Sequence, residues 1–308
     1  MGSVNQPDKR ILIMGASGLI GGRLIEHLIE SGHWRIRAAS RVTRAWPDGV
    51  EGCVTDISRP ETLHEACQNV AALVNLSSMT ERSCAIDPQA ALMVNGGGTL
   101  ALVLAASKAG VPRFVQVSTS KVYGNNPSGR LTEDSPITPQ SHYAITHRVA
   151  EDYAILLHSN SVVFRLANGF GAPVNTAVGA WDIIANEMCR QAVVDRRVTI
   201  RSSGRAWRNF VPMSDVVQAL YAAVLGLQAG RYHLGSSESM SLLSLAERIV
   251  RVCADTLGYS PMVTTGAGEP GEMPARLDYR IDKLVRAGFA PAATLDDEVR
   301  RTLLAVGH

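Results

Sequence analysis

The stretch Gly15-Ala16-Ser17-Gly18-Leu19-Ile20-Gly21 decides the fold. It follows an apolar segment, 11–14, that predicts a strand, and it opens an amphipathic segment, 19–31, that predicts a helix. A glycine turn between strand and helix lets the backbone approach a pyrophosphate, because no Cβ atom stands in the way, and the free N–H groups of the helix then face the phosphates. The context predicts a dinucleotide-binding loop, whereas a turn without a ligand is the alternative. The predicted cofactor contacts of this loop are Gly15, Ser17, Gly18, Leu19, Ile20 and Gly21.

Short apolar runs and longer amphipathic segments alternate beyond this loop. The predicted strands lie at 11–14, 35–40, 72–76, 113–118 and 162–166, and the predicted helices at 19–31, 61–69, 94–109 and 141–158. Strands separated by helices of this length form βαβ units, so the fold class expected is α/β, a doubly wound parallel sheet of the Rossmann type.

The texture changes after Gly169. The pattern predicts a helix within 173–194, a strand followed by a helix over 209–225, a helix over 241–257, and an irregular Gly- and Pro-rich connection over 261–274. We expect residues 1–171 to form the NAD(P)-binding Rossmann domain, with 205–235 returning to it. Segments 172–204 and 236–308 would form a smaller C-terminal substrate-binding region.

Composition narrows the class of protein. The chain has 308 residues, 46% of them hydrophobic and 19% charged, with a net charge of +2, which gives no electrostatic case for binding nucleic acid or an anionic membrane. Its five cysteines are scattered without a C-x-x-C pair, which is typical of reduced thiols and predicts no metal site. The polar N-terminus is unlike a signal peptide, and no apolar stretch is expected to approach the roughly 20 residues that span a bilayer. The expectation is a soluble, cytoplasmic protein.

The end of the second strand bears on cofactor choice. Rossmann proteins that prefer NAD carry an acid there for the ribose 2′-hydroxyl, whereas this strand ends in Ala39-Ser40-Arg41. An arginine suits a 2′-phosphate, which favours NADP over the alternative, NAD; Arg41 as a solvated surface residue is the other interpretation. Asp56 and Ile57 are placed to meet the adenine. The remaining predicted cofactor contacts follow the strand at 72–76 and are Leu76, Ser77 and Ser78.

Four further segments carry a resemblance. They are Ser118-Thr119-Ser120-Lys121-Val122-Tyr123-Gly124, Tyr143-Ala144-Ile145-Thr146-His147, Arg165-Leu166-Ala167-Asn168-Gly169-Phe170-Gly171 and Arg208-Asn209-Phe210-Val211-Pro212. With the glycine loop, they resemble an extended short-chain dehydrogenase/reductase of the NAD-dependent epimerase/dehydratase family over nearly the whole chain. The resemblance implies that Tyr143 exchanges a proton with the substrate oxygen while a hydride moves at the nicotinamide, and that Thr119 hydrogen-bonds the same oxygen.

The resemblance fails at one catalytic position, where His147 replaces the family's lysine, four residues after Tyr143. That lysine binds the nicotinamide ribose, and its charge lowers the pKa of the tyrosine. An imidazole can still hydrogen-bond a ribose hydroxyl, but it is largely neutral near pH 7. Three interpretations stay open: weakened catalysis through His147, a charge supplied instead by Lys121, or a fold that binds the cofactor without catalysis. Lys121 as a solvated side chain is an alternative to the second.

The substrate side also follows from the resemblance. Asn168 and Arg208 match positions that hold a nucleotide-sugar diphosphate, and Asn168 also meets the cofactor; an ordinary ion pair is the alternative for Arg208. The family's later phosphate-clamping arginine falls near Glu269-Pro270, where none is present, and Arg276 is a displaced candidate. Met79 and Thr80 would border the pocket together with Thr119.

These observations favour an NADP(H)-dependent reductase of a carbonyl on a nucleotide-linked sugar, of the 4-keto-6-deoxyhexose type. The alternatives are an NAD-dependent nucleotide-sugar 4-epimerase and a catalytically silent dinucleotide-binding protein. Ser120 and Lys121 replace the Asp-Glu pair that the resembling 4,6-dehydratases use, so dehydration is not expected. Family members pair the helices at 94–109 and 141–158 across a two-fold axis, which predicts a homodimer.

Overall fold

A seven-stranded parallel sheet forms the centre of the molecule. The computed structural model describes residues 9–175, 179–267 and 275–306. The strands are β1 (Arg10–Met14), β2 (Arg35–Ser40), β3 (Val50–Val54), β4 (Ala72–Asn75), β5 (Phe114–Thr119), β6 (Gly129–Leu131), β7 (Ser161–Leu166), β8 (Asn168–Phe170), β9 (Arg197–Ile200), β10 (Trp207–Pro212), β11 (Gly230–Leu234), β12 (Ser239–Ser241), β13 (Met262–Thr265) and β14 (Leu277–Tyr279). The α-helices are α1 (Leu19–Ser31), α2 (Leu63–Ala66), α3 (Glu81–Ile86), α4 (Pro88–Ala91), α5 (Gly98–Lys108), α6 (His142–Leu157), α7 (Ile184–Val194), α8 (Met213–Leu225), α9 (Leu242–Leu257), α10 (Asp282–Arg286) and α11 (Leu295–Val306).

The order of the large sheet is β3-β2-β1-β4-β5-β7-β11, and every neighbouring pair is parallel. Strands β4 and β5 are buried along their whole length, as parallel strands covered by helices on both faces require. The predicted Rossmann-like α/β fold is confirmed. In such a sheet the strand order reverses between β1 and β4, and a crevice opens there at the carboxyl ends of the strands.

The glycine turn brings the backbone at the end of β1 against the end of β4. Gly15 has a φ of +74°, and a Cβ atom there would lie 2.9 Å from the carbonyl carbon of Leu76. A Cβ atom on Gly21 would lie 2.6 Å from the carbonyl oxygens of Gly15 and Ala16. Both contacts are with backbone that cannot move aside, so this turn requires glycine at both positions.

A second region packs beside the sheet. Helices α7, α9 and α11 enclose an apolar cluster with Phe170, Val198 and Phe210. Strands β8, β10 and β12 form one small sheet, and β9 pairs with β13 in another. Of the segment 205–235, β11 lies at the edge of the large sheet beside β7, whereas β10 lies in the small sheet. The division into a cofactor domain and a substrate region stays a prediction.

Two expectations about individual segments were wrong. The helix expected at 94–109 begins earlier: α4, a π-helical turn at Leu92–Gly97 and α5 form one helical stretch, Pro88–Lys108. With 21 residues and a mean hydropathy of 1.6 it is long and apolar enough to cross a membrane, which corrects the expectation that no apolar stretch approaches this length. Core helices of soluble proteins meet the same test. Within the connection expected to be irregular, β13 adds to β9 by regular parallel pairing; residues 268–274 lie outside the described part of the chain.

Candidate active site

A cavity of about 120 Å³ lies at the carboxyl ends of the central strands, next to the glycine turn. Its lining comes from α1, the ends of β4, β5 and β7, and one face of α6. These residues are Ile20, Leu76, Ser78, Val117, Ser118, Thr119, Tyr143, His147, Leu166 and Ala167. The sheet therefore brings Ile20, Leu76 and Ser78 of the predicted cofactor site together with Thr119, Tyr143 and His147 of the predicted catalytic site.

Tyr143 lies in the first turn of α6, where Ser141 caps the helix by accepting a hydrogen bond from the backbone N–H of Ala144 at 3.2 Å. Burial raises the pKa of Tyr143 to about 12, and the negative charge of Glu81 acts in the same direction. A hydrogen bond with Thr119 lowers the pKa but does not outweigh them. The phenol is therefore protonated at neutral pH.

His147 lies one helical turn after Tyr143, and its ring meets the Tyr143 ring edge to face with the centroids 4.3 Å apart. The side chain is only 4% exposed, and neither ring nitrogen has a hydrogen-bond partner within the described structure. Burial lowers the pKa of His147 to about 4, so the imidazole is neutral near pH 7. Two unsatisfied nitrogens in a cavity are a costly arrangement for a protein unless a ligand satisfies them.

Lys121 lies outside this cavity, on the turn Ser120–Tyr123 that follows β5. Its ammonium group forms an ion pair with the carboxylate of Glu81, the first residue of α3. Lys121 is not among the groups that act on the pKa of Tyr143: burial, the Glu81 charge and Cys84 raise this pKa, and the hydrogen bond with Thr119 lowers it. Lys121 therefore lines the cleft, but its charge is paired with Glu81 and does not lower the pKa of Tyr143. The sequence analysis did not predict Glu81 as a site residue. The available signal was its position shortly after β4.

A buried polar network supports the end of β5. Ser118 Oγ donates to the carboxylate of Glu151 at 2.6 Å, and Arg165 holds that carboxylate with Nη2 at 2.8 Å. Arg165 also donates to the hydroxyl of Tyr123 at 2.6 Å. A buried pair of this kind is costly to break, because either partner alone is an uncompensated charge. The network fixes the strand end from which Thr119 projects.

A second cleft adjoins the cavity and contains Lys121, Asn168 and Arg208. The Arg208 guanidinium donates to the carbonyl of Trp207 and to the side-chain oxygen of Asn126, both at 2.9 Å. These partners are neutral amide groups, so the structure does not favour the ion-pair interpretation of Arg208, and burial lowers the pKa of this arginine. Asn168 Nδ2 donates to the carbonyl of Asn209 at 2.9 Å.

The displaced candidate Arg276 also lies near this cleft. Its guanidinium stands over the Trp207 ring, 5.1 Å from the ring centroid. Two arginines thus flank one strand, β10, with Arg208 on the strand itself. A planar guanidinium group can donate two parallel hydrogen bonds to two oxygens of one phosphate. A cleft with two arginines therefore suits a diphosphate.

The predicted adenine-side residues lie further along the sheet edge. Arg41 is exposed beyond β2. Burial raises the pKa of Asp56, but two hydrogen bonds from Ser58 and the charge of Arg41 outweigh it, so the net pKa is lowered. Ile57 is buried, and its carbonyl oxygen approaches Gly98 so closely that a Cβ atom there would lie 2.9 Å away.

The loop after β4 is held in place by two polar contacts. The backbone N–H of Met79 donates to Asn95 Oδ1 at 2.8 Å, and Thr80 caps α3 by accepting from the N–H of Ser83 at 3.2 Å. Asn95 also donates to Thr146 on α6 at 3.0 Å. The hydroxyl of Thr80 is thus occupied in capping, and its predicted contact with a substrate stays a prediction.

A dinucleotide fits this arrangement. The glycine turn leaves room where Cβ atoms would stand, and α1 begins directly behind it without an acidic residue in its first turn. The unsatisfied nitrogens of His147 lie at the other end of the same crevice. Among the described residues, no group of three or more His, Cys, Asp or Glu side chains could hold a metal ion.

Comparison with known proteins identifies the family. Residues 11–235 match the NAD dependent epimerase/dehydratase family. The chain belongs to this family. The epimerase/dehydratase family consists of enzymes of the extended short-chain dehydrogenase type, which confirms both the resemblance and the expectation of an enzyme.

The individual relatives of this chain are distant in sequence. The chain is 29% identical over 258 residues to a dTDP-glucose 4,6-dehydratase of Streptomyces niveus, covering 80% of this chain and 73% of that protein. It is 25% identical over 309 residues to UDP-glucuronic acid decarboxylase 1 of Xenopus tropicalis, covering 96% and 71%. Among solved structures, the UDP-glucose 4-epimerase of Thermus thermophilus in complex with NAD superposes with a TM-score of 0.80 at 23% identity, covering 97% of this chain and 99% of that chain. These likenesses support an NAD-type cofactor, and the solved structure shows a shared fold.

The neutral state of His147 predicts a pH dependence of stability. In the unfolded chain a histidine titrates near 6.5, so between that pH and about 4 the unfolded state binds the extra proton and folding stability falls as the pH is lowered. From pH 7 to pH 5 the wild type should lose about 2 kcal/mol more free energy of unfolding than His147→Gln. Urea denaturation at the two pH values measures the difference. His233 is a second buried histidine with a lowered pKa, so His233→Gln is measured in the same way to separate its contribution from that of His147. An equal loss of unfolding free energy in wild type and His147→Gln would contradict the prediction.

Proposed function

We propose that this protein reduces a carbonyl on a nucleotide-linked sugar, of the 4-keto-6-deoxyhexose type, with NADPH as the reductant. The observation that carries the proposal is the protonated phenol of Tyr143, whose pKa is about 12. A reductase needs this group as an acid. An enzyme that begins by oxidising an alcohol needs it as a base, and the raised pKa of Tyr143 disfavours the ionised form that a base requires.

The residues of the cavity divide the work of this reaction. The chemistry that NADPH would supply here is a hydride for the carbonyl carbon. Tyr143 donates its proton to the carbonyl oxygen, so the C=O group becomes CH–OH and a phenolate is left to take up a proton from solvent. Thr119 hydrogen-bonds Tyr143 and lies at the same opening, which suits it to orient the oxygen. His147 offers its free nitrogens to a ribose hydroxyl of the cofactor.

The choice of NADP rests on Arg41. The residue stands exposed just beyond β2, where a 2′-phosphate of the adenosine ribose would be expected, and it carries a positive charge in place of the acid that binds a free 2′-hydroxyl. A cofactor that is oxidised in each cycle must also be exchanged, which suits NADPH. The NAD bound by the Thermus relative keeps NAD as the second candidate.

The substrate class rests on the cleft beside the cavity. Arg208 and Arg276 are suited to hold a diphosphate, and Asn168 lines the same cleft as Arg208. The names of the relatives, which include dTDP-glucose and UDP-glucuronic acid, support a nucleotide-linked sugar. A 4-epimerase is the alternative because a solved structure of that kind shares the fold. A silent cofactor-binding protein is the third candidate, since His147 replaces the lysine.

We also propose a cytoplasmic homodimer. The stretch Pro88–Lys108 packs on α6, and these two elements carry the exposed apolar side chains Leu92, Met93, Leu104, Ile145 and Leu156. Clustered apolar side chains on a surface are typical of an interface. Light scattering should give twice the 33.0 kDa mass of the chain for the wild type and a lower mass for Leu104→Arg. A monomeric mass for the wild type would contradict the proposal.

The function itself is tested by mixing the protein with NADPH and a dTDP-4-keto-6-deoxyhexose and following the absorbance of reduced nicotinamide. Stoichiometric oxidation is expected, and Tyr143→Phe should lower the rate by about 10²–10⁴-fold because the proton donor is gone. Tyr153→Phe, on the same helix but outside the cavity, should keep the wild-type rate. Inversion of the sugar without net oxidation would establish the epimerase, and cofactor binding with neither outcome across several sugars would establish the silent protein.

Cofactor choice is tested by Arg41→Ala. Loss of a charge-assisted contact to the 2′-phosphate should weaken NADPH binding by about 10- to 100-fold and leave NADH binding unchanged. Quenching of protein fluorescence on titration measures both affinities. Arg130→Ala, which removes an exposed arginine from β6, is the matched control. Equal effects of Arg41→Ala on NADPH and NADH would contradict the assignment.

A further inference from the structure

The cavity that holds His147 is lined without a single formal charge. Every described lining residue is apolar, a hydroxyl-bearing side chain or the neutral imidazole. Tyr143 and His147 both line this space with their ring centroids 4.3 Å apart, and neither nitrogen of His147 has a hydrogen-bond partner within the described structure. The redox end of a cofactor that starts at the glycine turn would enter here, because Ile20 of α1 borders the same cavity.

The cations around the cavity each have a carboxylate partner. On one side the ammonium of Lys121 meets the carboxylate of Glu81. Beneath Ser118, the carboxylate of Glu151 meets the guanidinium of Arg165 at 2.8 Å, and Arg231, 3.4 Å from the same carboxylate, also pairs with Asp152. The charge that acts on Tyr143 in this space is the negative charge of Glu81, so no cation of the described residues stands against the cavity without a partner.

The two redox forms of a nicotinamide differ by one unit of charge, since the oxidised ring is a cation and the reduced ring is neutral. A fixed cation beside the ring disfavours the oxidised form, and at an effective dielectric constant of about 20 it does so by about tenfold or more in relative affinity. The protein shifts the equilibrium between the oxidised and reduced cofactor only by the ratio of its affinities for the two forms. The family's lysine is replaced here by a neutral imidazole. This replacement therefore changes the ratio of the affinities for the oxidised and reduced nicotinamide.

We propose that His147 sets the redox preference of the bound cofactor, by removing a repelling cation and so favouring the oxidised form more than a lysine at this position would. The bound cofactor is then a stronger hydride donor, and the neutral site favours carbonyl reduction over alcohol oxidation. The inference rests on the proposed function for the direction of the reaction, but the quantity it concerns is cofactor affinity. His147 thereby becomes a determinant of specificity between two forms of one ligand.

The experiment compares the dissociation constants of NADP⁺ and NADPH in the absence of any sugar. In His147→Lys and His147→Arg the ratio of the NADP⁺ constant to the NADPH constant should rise at least about tenfold above the wild-type ratio at pH 7.5. Arginine is included because a buried lysine can lose its proton, whereas a guanidinium stays charged. His147→Gln, neutral and able to hydrogen-bond, is the matched control, and its ratio should stay within about twofold of wild type. The same series with NAD⁺ and NADH should move in the same direction.

Each result has one meaning. A ratio that rises with Lys and Arg but not with Gln supports the inference, even if no sugar is reduced, and in that case only the proposed function falls. An unchanged ratio in the Arg variant, or an equal rise in the Gln variant, overturns the inference even if the wild type reduces a keto sugar. Thermal unfolding of each variant identifies any that has not folded, and the ratio is then taken from the other charged variant.

Discussion

The close approach of two pieces of backbone is the constraint on which the site depends. Gly15 brings the end of β1 against Leu76 at the end of β4, and Gly21 brings the start of α1 against the same turn. A side chain at either position would meet backbone atoms at 2.6–2.9 Å, so the strands and the helix could not keep their spacing. That spacing defines the crevice at the point where the strand order reverses. The cavity with Tyr143 and His147 lies in this crevice because α6 packs against the neighbouring strand, β5.

Electrostatics then decides what the cavity can do. Two ion pairs lie beside the cavity, Glu81 with Lys121 and Glu151 with Arg165. In each pair the cation contacts a carboxylate and not the hydroxyl of Tyr143. The phenol therefore has no cation to stabilise its ionised form, while burial and the Glu81 charge both oppose ionisation. Replacement of a lysine by histidine can in principle be compensated by another basic residue. Here Lys121 is the nearest candidate, and its pairing removes that compensation.

Sequence patterns predicted the parts of the molecule that depend on local rules. The glycine turn, five of the seven strands of the sheet (β1, β2, β4, β5 and β7) and the helix carrying Tyr143 follow from periodicity and from residues whose conformations are restricted. The partner of Lys121 did not follow, because Glu81 lies 40 residues away in the chain and only the sheet brings their elements together. The burial of His147 was also inaccessible, since it depends on the packing of α6 against β5. The extension of the helical stretch back to Pro88 was missed, although Asp87 caps it by accepting a hydrogen bond from the N–H of Ala90 at 2.9 Å.

Under the proposed function, the replacement of lysine by histidine changes which direction of the reaction the site favours. Addition of hydride to a carbonyl produces an alkoxide that is far more basic than a phenolate, so Tyr143 can still give up its proton in that direction despite a pKa of about 12. In the opposite direction the same residue would have to be ionised first, in a site that offers no cation to help. A lysine would stabilise the phenolate in both directions, because reduction leaves Tyr143 ionised and oxidation begins from the ionised form. What a neutral imidazole changes in the proposed reaction is therefore the relative affinity for the two charge states of the cofactor, while its nitrogens stay able to form hydrogen bonds.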